Sequence, residues 1–410
     1  MALTPALQMS TELPKDQAAL PVFKVLYRNT TRIQQNGGRK NEVLHSVEPA
    51  NLPDGKLTED ALREMTRKAD LHGAEQLFAA MSKLSLEDAY QQLQVAIQDE
   101  VDVHRVVLSW RSWAIHDITG KEHAATLLRQ SVRYCVNTEK DRIDRKRPAP
   151  SIRTLLPKLI DEHKLLAGAK KERKDDDAWI SQLSETIYSS NRDQAAAAVA
   201  VALAEGFSRD AIGEAISLAA NLLVLRDPGR RKAEESNPVG SVHGASVGVH
   251  ASDSANAWRN IAKVSNDRNA IASLIVGAYH TAEQAGGQNK TSYPLPQHLE
   301  PISTKDPAML LRDTETAIKE KDQARACALV YRYAELGNAP RAVLDMLLKF
   351  AVSEDGALHA EKYYRTVEEE YATTRPAFRN RHLAALARVT ASEYGFPAPG
   401  YAEACKLTKS

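Results

Sequence analysis

Over most of its length this chain is a succession of segments with helical periodicity, and strand signals are almost absent. One segment shows the pattern clearly. Ser85 is a residue type that caps helix N-termini, and Ala89, Leu93 and Ala96 recur behind it on one helical face. Apolar faces of this kind must be buried against other helices. The sequence therefore predicts an all-α, multi-helical fold of stacked helical hairpins, either solenoid-like or a bundle.

The chain length and local composition predict several regions. A chain of 410 residues has room for two or three domains. Residues 1–56 are rich in Pro, Asn, Gln and Gly, so we expect an irregular N-terminal arm, in which residues 22–27 form a short strand or pack on the body. A charge run at 170–178 predicts an exposed linker between an N-terminal helical half, 57–169, and a C-terminal helical half, 179–410.

The composition gives no support to several classes of partner. Lys and Arg number 54 and Asp and Glu 53, so the net charge of +1 gives no reason to expect nucleic acid or an anionic membrane as the main partner. The three cysteines are far apart and form no disulfide framework. No stretch approaches the ~20 apolar residues of a membrane span, and no signal pattern opens the chain. We expect a soluble cytoplasmic protein, whose oligomeric state the sequence does not indicate.

An internal repeat is visible in the C-terminal half. The tripeptide Asp-Gln-Ala occurs at residues 193–195 and again at 322–324, each time at the start of an apolar helical segment. Each segment ends near a glycine, Gly206 or Gly337, and a second helical segment follows. A helical hairpin cannot bury its apolar face alone, so repeated hairpins stack on their neighbours. The sequence thus predicts two hairpin repeats.

A hydrophobic residue followed by histidine recurs after three helical segments. These steps contain His104, His243 and His359, and a fourth copy contains His72. Histidine is the side chain most often used for metal ligation and for proton transfer near neutral pH. Equivalent histidines of repeated units would meet when the units pack together. We therefore predict that His104, His243 and His359 are metal ligands or catalytic acid–base groups.

Other polar side chains lie close to these steps in the sequence. His116 and His123 flank a turn after the first step, and His250 and Asp253, one helical turn apart, follow the second. The full set of predicted metal ligands is His72, His104, His116, His123, His243, His250, Asp253 and His359. Histidines with a carboxylate favour iron, with zinc or copper as alternatives, and haem is a further possibility. Neither HExxH nor the pair of Glu-x-x-His motifs found in di-iron helical bundles is present to identify the metal.

Aromatic residues and arginines follow the histidine steps. Trp110 and Trp113 come after His104, and Trp258 and Arg259 come after the second step. Indole rings stack on planar ligands, and arginine binds carboxylates or phosphates. These residues are therefore predicted to line a cofactor or substrate pocket.

Two stretches resemble a known family. Residues 104–135 carry a His–Trp–His–His–Leu-Leu-Arg progression, and residues 242–246 read Val-His-Gly-Ala-Ser. Both are similar to the histidine-bearing helical blocks of questin-oxidase-like proteins, which are α-helical oxygenases of aromatic polyketides. The resemblance implies an all-α fold and oxygenase activity, and it assigns no role to individual residues.

Taken together, these features predict a histidine-lined, metal- or haem-dependent oxidoreductase that acts on a small, partly apolar organic molecule. One alternative is a non-catalytic helical-repeat scaffold that binds a protein partner on its concave face. A second alternative is a metal-free enzyme that uses histidine as a general base. The scaffold alternative predicts that the histidines of the three steps lie far apart.

Overall fold

The computed structural model describes residues 1–41, 45–51, 60–168, 171–234 and 237–408. Within these ranges all regular secondary structure is helical, and β pairing is confined to two isolated bridges, Glu234 with Asn237 and Glu354 with Pro397. The prediction of an all-α, multi-helical fold is confirmed. No helix in this described part is long and apolar enough to cross a membrane.

The helices follow one another along the whole chain. They are α1 (Leu3–Ser10), α2 (Leu20–Gln35), α3 (Ala61–Arg67), α4 (Leu71–Leu84), α5 (Leu86–Ile97), α6 (Val103–Ala114), α7 (His116–Thr119), α8 (Ala124–Asp144), α9 (Ile152–Glu162), α10 (Asp177–Ser189), α11 (Arg192–Glu205), α12 (Arg209–Leu225), α13 (Val247–Val264), α14 (Asp267–Thr281), α15 (Pro296–Leu299), α16 (Pro307–Lys319), α17 (Gln323–Glu335), α18 (Pro340–Ser353), α19 (His359–Thr373), α20 (Pro376–Glu393) and α21 (Tyr401–Leu407).

These helices form two compact units. The first unit contains Val43–Ile216 and Ala257–Ala282, together with Met1, and the second contains Ala2–Glu42, Ser217–Asn256 and Glu283–Ser410. Helices α12 and α13 contribute residues to both units. The division predicted at residues 170–178 does not coincide with this boundary, because the helices on both sides of that segment belong to the first unit.

The N-terminal arm is the main correction to the predicted secondary structure. Residues 3–10 and 20–35 are helical, so the irregular arm is wrong there, as is the strand at 22–27. Helix α2 buries Leu20, Lys24 and Val25, which lie on one side of a helix, and this tertiary burial outweighs the β-branched residues of the segment. Residues 45–51 contain no helix, and residues 42–44 and 52–56 lie outside the described ranges.

The predicted linker packs on a helix end of the first unit. The Arg173 N–H donates to the Gly206 carbonyl at 2.9 Å, and the Ser208 hydroxyl donates to Asp175 at 2.8 Å. Asp176 then caps α10 by accepting from the Trp179 N–H at 2.8 Å. The charge run therefore serves as the entry to α10, because its carboxylates satisfy backbone and hydroxyl donors. Residues 169–170 lie outside the described ranges.

The predicted caps and stripes do form helices in the first unit. Ser85 accepts from the Asp88 N–H at 3.1 Å, and Ala89, Leu93 and Ala96 behind it are fully buried in α5. Helices α4, α5 and α6 all pack on α8 or on one another. Local capping and apolar periodicity are sufficient to predict this region.

The second unit is organised around α17, α18, α19 and α20. Their inner faces meet through Leu329, Leu347, Tyr364 and Leu383, all of them buried. Residues 354–358 join α18 to α19, and residues 395–398 return beside them: the Asp355 N–H donates to the Phe396 carbonyl at 2.8 Å. This pair of connections forms the wall of the candidate site.

Candidate functional site

The predicted site residues are divided between the two units. The first unit contains His72, His104, His116, His123, Trp110, Trp113, Trp258 and Arg259, and the second contains His243, His250, Asp253 and His359. Among the described residues, no group of three or more His, Cys, Asp or Glu side chains could hold a metal ion. Two of the predicted residues do come together, and both belong to the second unit.

Two predicted ligands meet directly in the second unit. The Nε2 atoms of His250 and His359 lie 3.0 Å apart, within hydrogen-bond distance. The Nδ1 atom of His359 lies 2.9 Å from the Gly356 carbonyl oxygen, which can only accept, so this nitrogen must carry a hydrogen. In the neutral pair, Nε2 of His359 is then the acceptor and Nε2 of His250 the donor. The Gly356 carbonyl thus sets the tautomer of both rings.

A turn with unusual backbone angles holds that carbonyl. Gly356, Ala357 and Leu358 all have left-handed φ angles, of 47°, 51° and 65°. For a residue with a Cβ atom this conformation costs roughly 1–2 kcal/mol. The turn ends α18 and starts α19 at His359. Backbone strain of this kind is often concentrated at functional sites, where the surrounding structure maintains it.

Two cavities are lined by residues of this turn. An open cleft of about 640 Å³ is lined by His243, Arg230 and Asp355 among others. A smaller cavity of about 40 Å³ is mostly apolar and is lined by His359 and Tyr363. Both cavities are bounded by Gly356 and Glu393. The cleft has the size of a small-molecule site, and the smaller cavity has room for water.

Two histidines of the recurring step therefore lie at neighbouring cavities of one unit. His243 is exposed and lines the cleft, where its Nδ1 accepts from the Ala245 N–H at 2.8 Å. His359 lines the smaller cavity. The third histidine of the prediction, His104, belongs to the first unit.

Further along α13 and α19, beyond the histidine pair, two more polar contacts join these helices. The Thr366 hydroxyl donates to Asp253 at 2.8 Å, and the Asn256 amide donates to Glu370 at 2.9 Å. As predicted, His250 and Asp253 lie on the same side of α13, the side that faces α19. The Asp253 carboxylate thus accepts from Thr366, in a buried polar row that sets the register of the two helices.

Charged side chains surround the turn. The Glu354 carboxylate accepts from the N–H groups of Gly395 and Phe396 at 2.9 and 2.7 Å. Glu361, fully buried in the first turn of α19, lies 2.6 Å from the Lys24 ammonium. Burial raises the pKa of Glu361, and Lys24 opposes that effect. Burial also lowers the pKa of Lys362, which nearby Asp253 opposes. The region is a buried, charge-paired environment.

Sequence reasoning missed the N-terminal contribution to this region. Lys24 and Arg28 of α2 contact Ala351 and Asp355, each 327 residues away in the chain. No local pattern indicates contacts at that separation. The spacing of four between the two cations would have placed them on one helical face, had the segment been recognised as a helix.

The first-unit residues occupy different surroundings. His104 lies 3.7 Å from Asp102, whose carboxylate caps α6 and accepts from the Tyr134 hydroxyl at 2.9 Å. Burial raises the pKa of Asp102, but hydrogen bonds from His104, the Arg105 N–H and Tyr134 outweigh it and hold the pKa well below its usual value. His72 and His123 are exposed.

The predicted pocket-wall residues are engaged in packing. Trp113 stacks on Tyr90 at 4.1 Å between ring centroids and contacts His116 edge-on at 4.4 Å. Trp258 is 1% exposed, and its indole N–H donates to His280 at 3.2 Å. Arg259 is also buried, and Trp110 is half-buried. Because their surfaces pack against other side chains, the three residues Trp113, Trp258 and Arg259 stabilise the first unit.

Comparisons of the chain with family models, with curated proteins and with solved structures give no match.

Proposed function

We propose that the second unit is an enzyme in which His250 and His359 relay protons to and from a small, partly apolar molecule bound in the adjoining cleft. The observation that carries the proposal is the 3.0 Å contact between their Nε2 atoms, with the His359 tautomer set by the Gly356 carbonyl. Such an arrangement, a base oriented by a second hydrogen bond, is typical of general acid–base catalysis.

The relay follows from the tautomers. In the neutral pair His359 carries its hydrogen on Nδ1, and His250 donates its Nε2 hydrogen to His359. A proton taken up at Nδ1 of His250 allows its Nε2 proton to move to His359. The resulting imidazolium of His359 keeps its hydrogen bond to Gly356, which stabilises the charge. The pair returns the proton by the reverse step.

The two cavities support a ligand of this kind. The cleft of about 640 Å³ falls in the usual range for small-molecule sites, and the smaller cavity has room for a water molecule that would connect the pair to a bound ligand. The smaller cavity is walled by apolar side chains such as Phe350 and Leu386, whereas His243 and Arg230 lie in the cleft. A ligand with an apolar part and a polar, proton-exchanging group suits both surfaces.

The test uses 4-nitrophenyl acetate as a defined probe, since a positioned imidazole base activates water to attack this ester and 4-nitrophenolate leaves. We expect His250→Gln and His359→Gln each to lower the rate by about 100-fold. The matched control is His72→Gln, at an exposed histidine of the first unit. Equal rates for the three variants would contradict the proposal.

The oxidoreductase predicted from the sequence requires a metal or haem, and the described residues fit that group only in part. Two imidazole nitrogens at 3.0 Å approach the separation of neighbouring ligands on one ion. The described residues add no group of three or more candidate ligands. Equilibrium dialysis against Fe²⁺, Zn²⁺ and Cu²⁺, with a haem titration beside it, tests this second candidate. Stoichiometric binding that is lost in His359→Gln would favour the metal- or haem-dependent oxidoreductase over the proton relay. Absence of binding would reject the oxidoreductase.

A further inference from the structure

Helix α2 supplies a buried cation to the junction of α18 and α19. The Lys24 ammonium is 1% exposed; it donates to the Ala351 carbonyl at 2.8 Å and also to the Glu354 carbonyl. Both carbonyls belong to the C-terminal end of α18, where a positive charge is favourable. The same ammonium pairs with Glu361 in the first turn of α19. One side chain therefore ties together the end of one helix and the start of the next.

A second cation of α2 holds the residue that precedes the strained turn. Arg28 donates to both carboxylate oxygens of Asp355, at 2.7 and 2.6 Å. Both contacts come from the single nitrogen Nη1, and this charge-assisted interaction holds the Asp355 carboxylate against α2. Leu358, the last residue of the turn, packs against the small apolar cluster that includes Val25 of α2, as does Val22. Helix α2 thus contacts both the residue before the turn and the last residue of the turn.

These contacts explain how the turn is maintained. Left-handed φ angles at Ala357 and Leu358 persist only where neighbouring structure enforces them. The Gly356 carbonyl lies inside this turn, and its direction determines which nitrogen of His359 carries hydrogen. A change in the turn would therefore reach the histidine pair through that one carbonyl.

We propose that Lys24 and Arg28 are positioning residues for His359: by holding the turn at residues 356–358, they keep the Gly356 carbonyl on Nδ1 and leave Nε2 as the proton acceptor. This inference rests on the proposed acid–base function of the pair. It implies that the N-terminal helices are part of the site and not a separate arm.

The test measures the tautomer directly by ¹⁵N NMR of histidine-labelled protein, with His359 assigned from the His359→Gln spectrum. In the unmodified chain we expect the Nδ1–H form of His359 and a scalar coupling across the hydrogen bond between the two Nε2 atoms. Arg28→Gln should give a mixture of tautomers and lose the coupling. The matched control is Arg32→Gln, one turn further along α2 at an exposed position.

Lys24 needs a second design, because Lys24→Met alone leaves the buried Glu361 without its counter-ion. The double variant Lys24→Met/Glu361→Gln removes both charges and preserves folding more easily. It should also lose the Nδ1–H form of His359. If the His359 spectrum is the same in Arg28→Gln, in the double variant and in Arg32→Gln, the positioning role is wrong.

The result separates this inference from the proposed function. If the tautomer responds to Arg28→Gln but ester hydrolysis does not depend on His250 or His359, positioning stands and the enzymatic proposal fails. If hydrolysis depends on His250 and His359 but the His359 tautomer does not change in the α2 variants, the enzymatic proposal stands and the positioning role fails.

Discussion

His104 and His359 occupy the same place in a recurring sequence step, yet the structure holds them by different means. His104 follows a helix cap, and its side chain is 42% exposed beside Asp102, two residues away. His359 follows a left-handed turn and contacts His250, 109 residues away. Similar local sequence thus produces a capped helix start in the first unit and a long-range polar contact in the second. Recurrence alone does not define a site; the tertiary surroundings of each copy decide what its histidine can do.

The largest expected effect lies at Lys24. Lys24→Met leaves the fully buried Glu361 without its cation, and breaking such a pair costs about 3–5 kcal/mol. Urea unfolding followed by circular dichroism measures the loss. The double variant Lys24→Met/Glu361→Gln should recover most of it, since no uncompensated charge remains. A single variant as stable as the unmodified chain would show that α2 does not support the His359 region, and the contrast with His104 would disappear.

The next effect tests helix packing beneath the pair. Gly248, two residues before His250, lies so close to α12 that an added Cβ would be 2.6 Å from the Val224 nitrogen. We expect Gly248→Ala to cost about 3 kcal/mol, because the backbone of α12 cannot move aside cheaply. Gly286→Ala is the matched control, since nothing lies within 4 Å of the added carbon there and φ is not positive. Thermal unfolding of both variants distinguishes the sites, and equal stabilities would disprove the close approach.

Two buried carboxylates give the units opposite responses to pH. Burial raises the pKa of Glu139 in the first unit, but Arg153 and Arg142 outweigh it and hold the pKa at about 2, below its usual 4.5. Its stabilising contribution is therefore present above the usual value and is lost as pH falls through the folded-state value. The pKa of Glu361 is raised, mainly by burial, so its contribution is fully present at low pH and is lost as pH rises through the folded-state value.

This contrast is tested by measuring the free energy of unfolding across the acid range. Each Glu→Gln variant is compared with the unmodified chain. For Glu139→Gln the cost should shrink by about 2 kcal/mol as pH falls from neutral to about 2, allowing for partial screening of the pairs. For Glu361→Gln, the free energy of unfolding of the variant should increase relative to that of the unmodified chain as pH rises. Slopes of the same sign in the two comparisons would show that the two carboxylates do not differ as described.

The sequence was informative where structure depends on neighbours along the chain. The Ser85 cap and the apolar stripe of α5 are local, and both are present in the structure. Helix α2 was missed because its helicity depends on burial of Leu20 and Val25 against distant elements. The turn before His359 was missed because left-handed angles at Ala357 and Leu358 have no residue signature, unlike glycine.

The candidate site was predictable to a similar extent. His250 and His359 were both among the predicted ligands, and the structure brings them together. Their partner carbonyl, Gly356, and the cations that hold the turn come from backbone geometry and from residues more than 300 positions away. Residue type thus indicated which side chains could take part in chemistry. Which of them contact one another depends on the fold and could not be predicted from local sequence.

The smallest expected effect is at His104, and it tests the comparison of His104 with His359 by changing the first-unit histidine. The helix start there is held by Asp102, which accepts from the Arg105 N–H at 2.9 Å, so Asp102→Ala should cost about 1 kcal/mol of stability. His104→Gln should change stability by no more than about 0.5 kcal/mol, because the side chain is partly exposed and the cap remains. Urea unfolding of both variants measures these changes in stability, and their rates of 4-nitrophenyl acetate hydrolysis are measured as well. If His104→Gln lowered hydrolysis as much as His359→Gln does, the first-unit copy of the step would be functional too, and local sequence would have been the better guide.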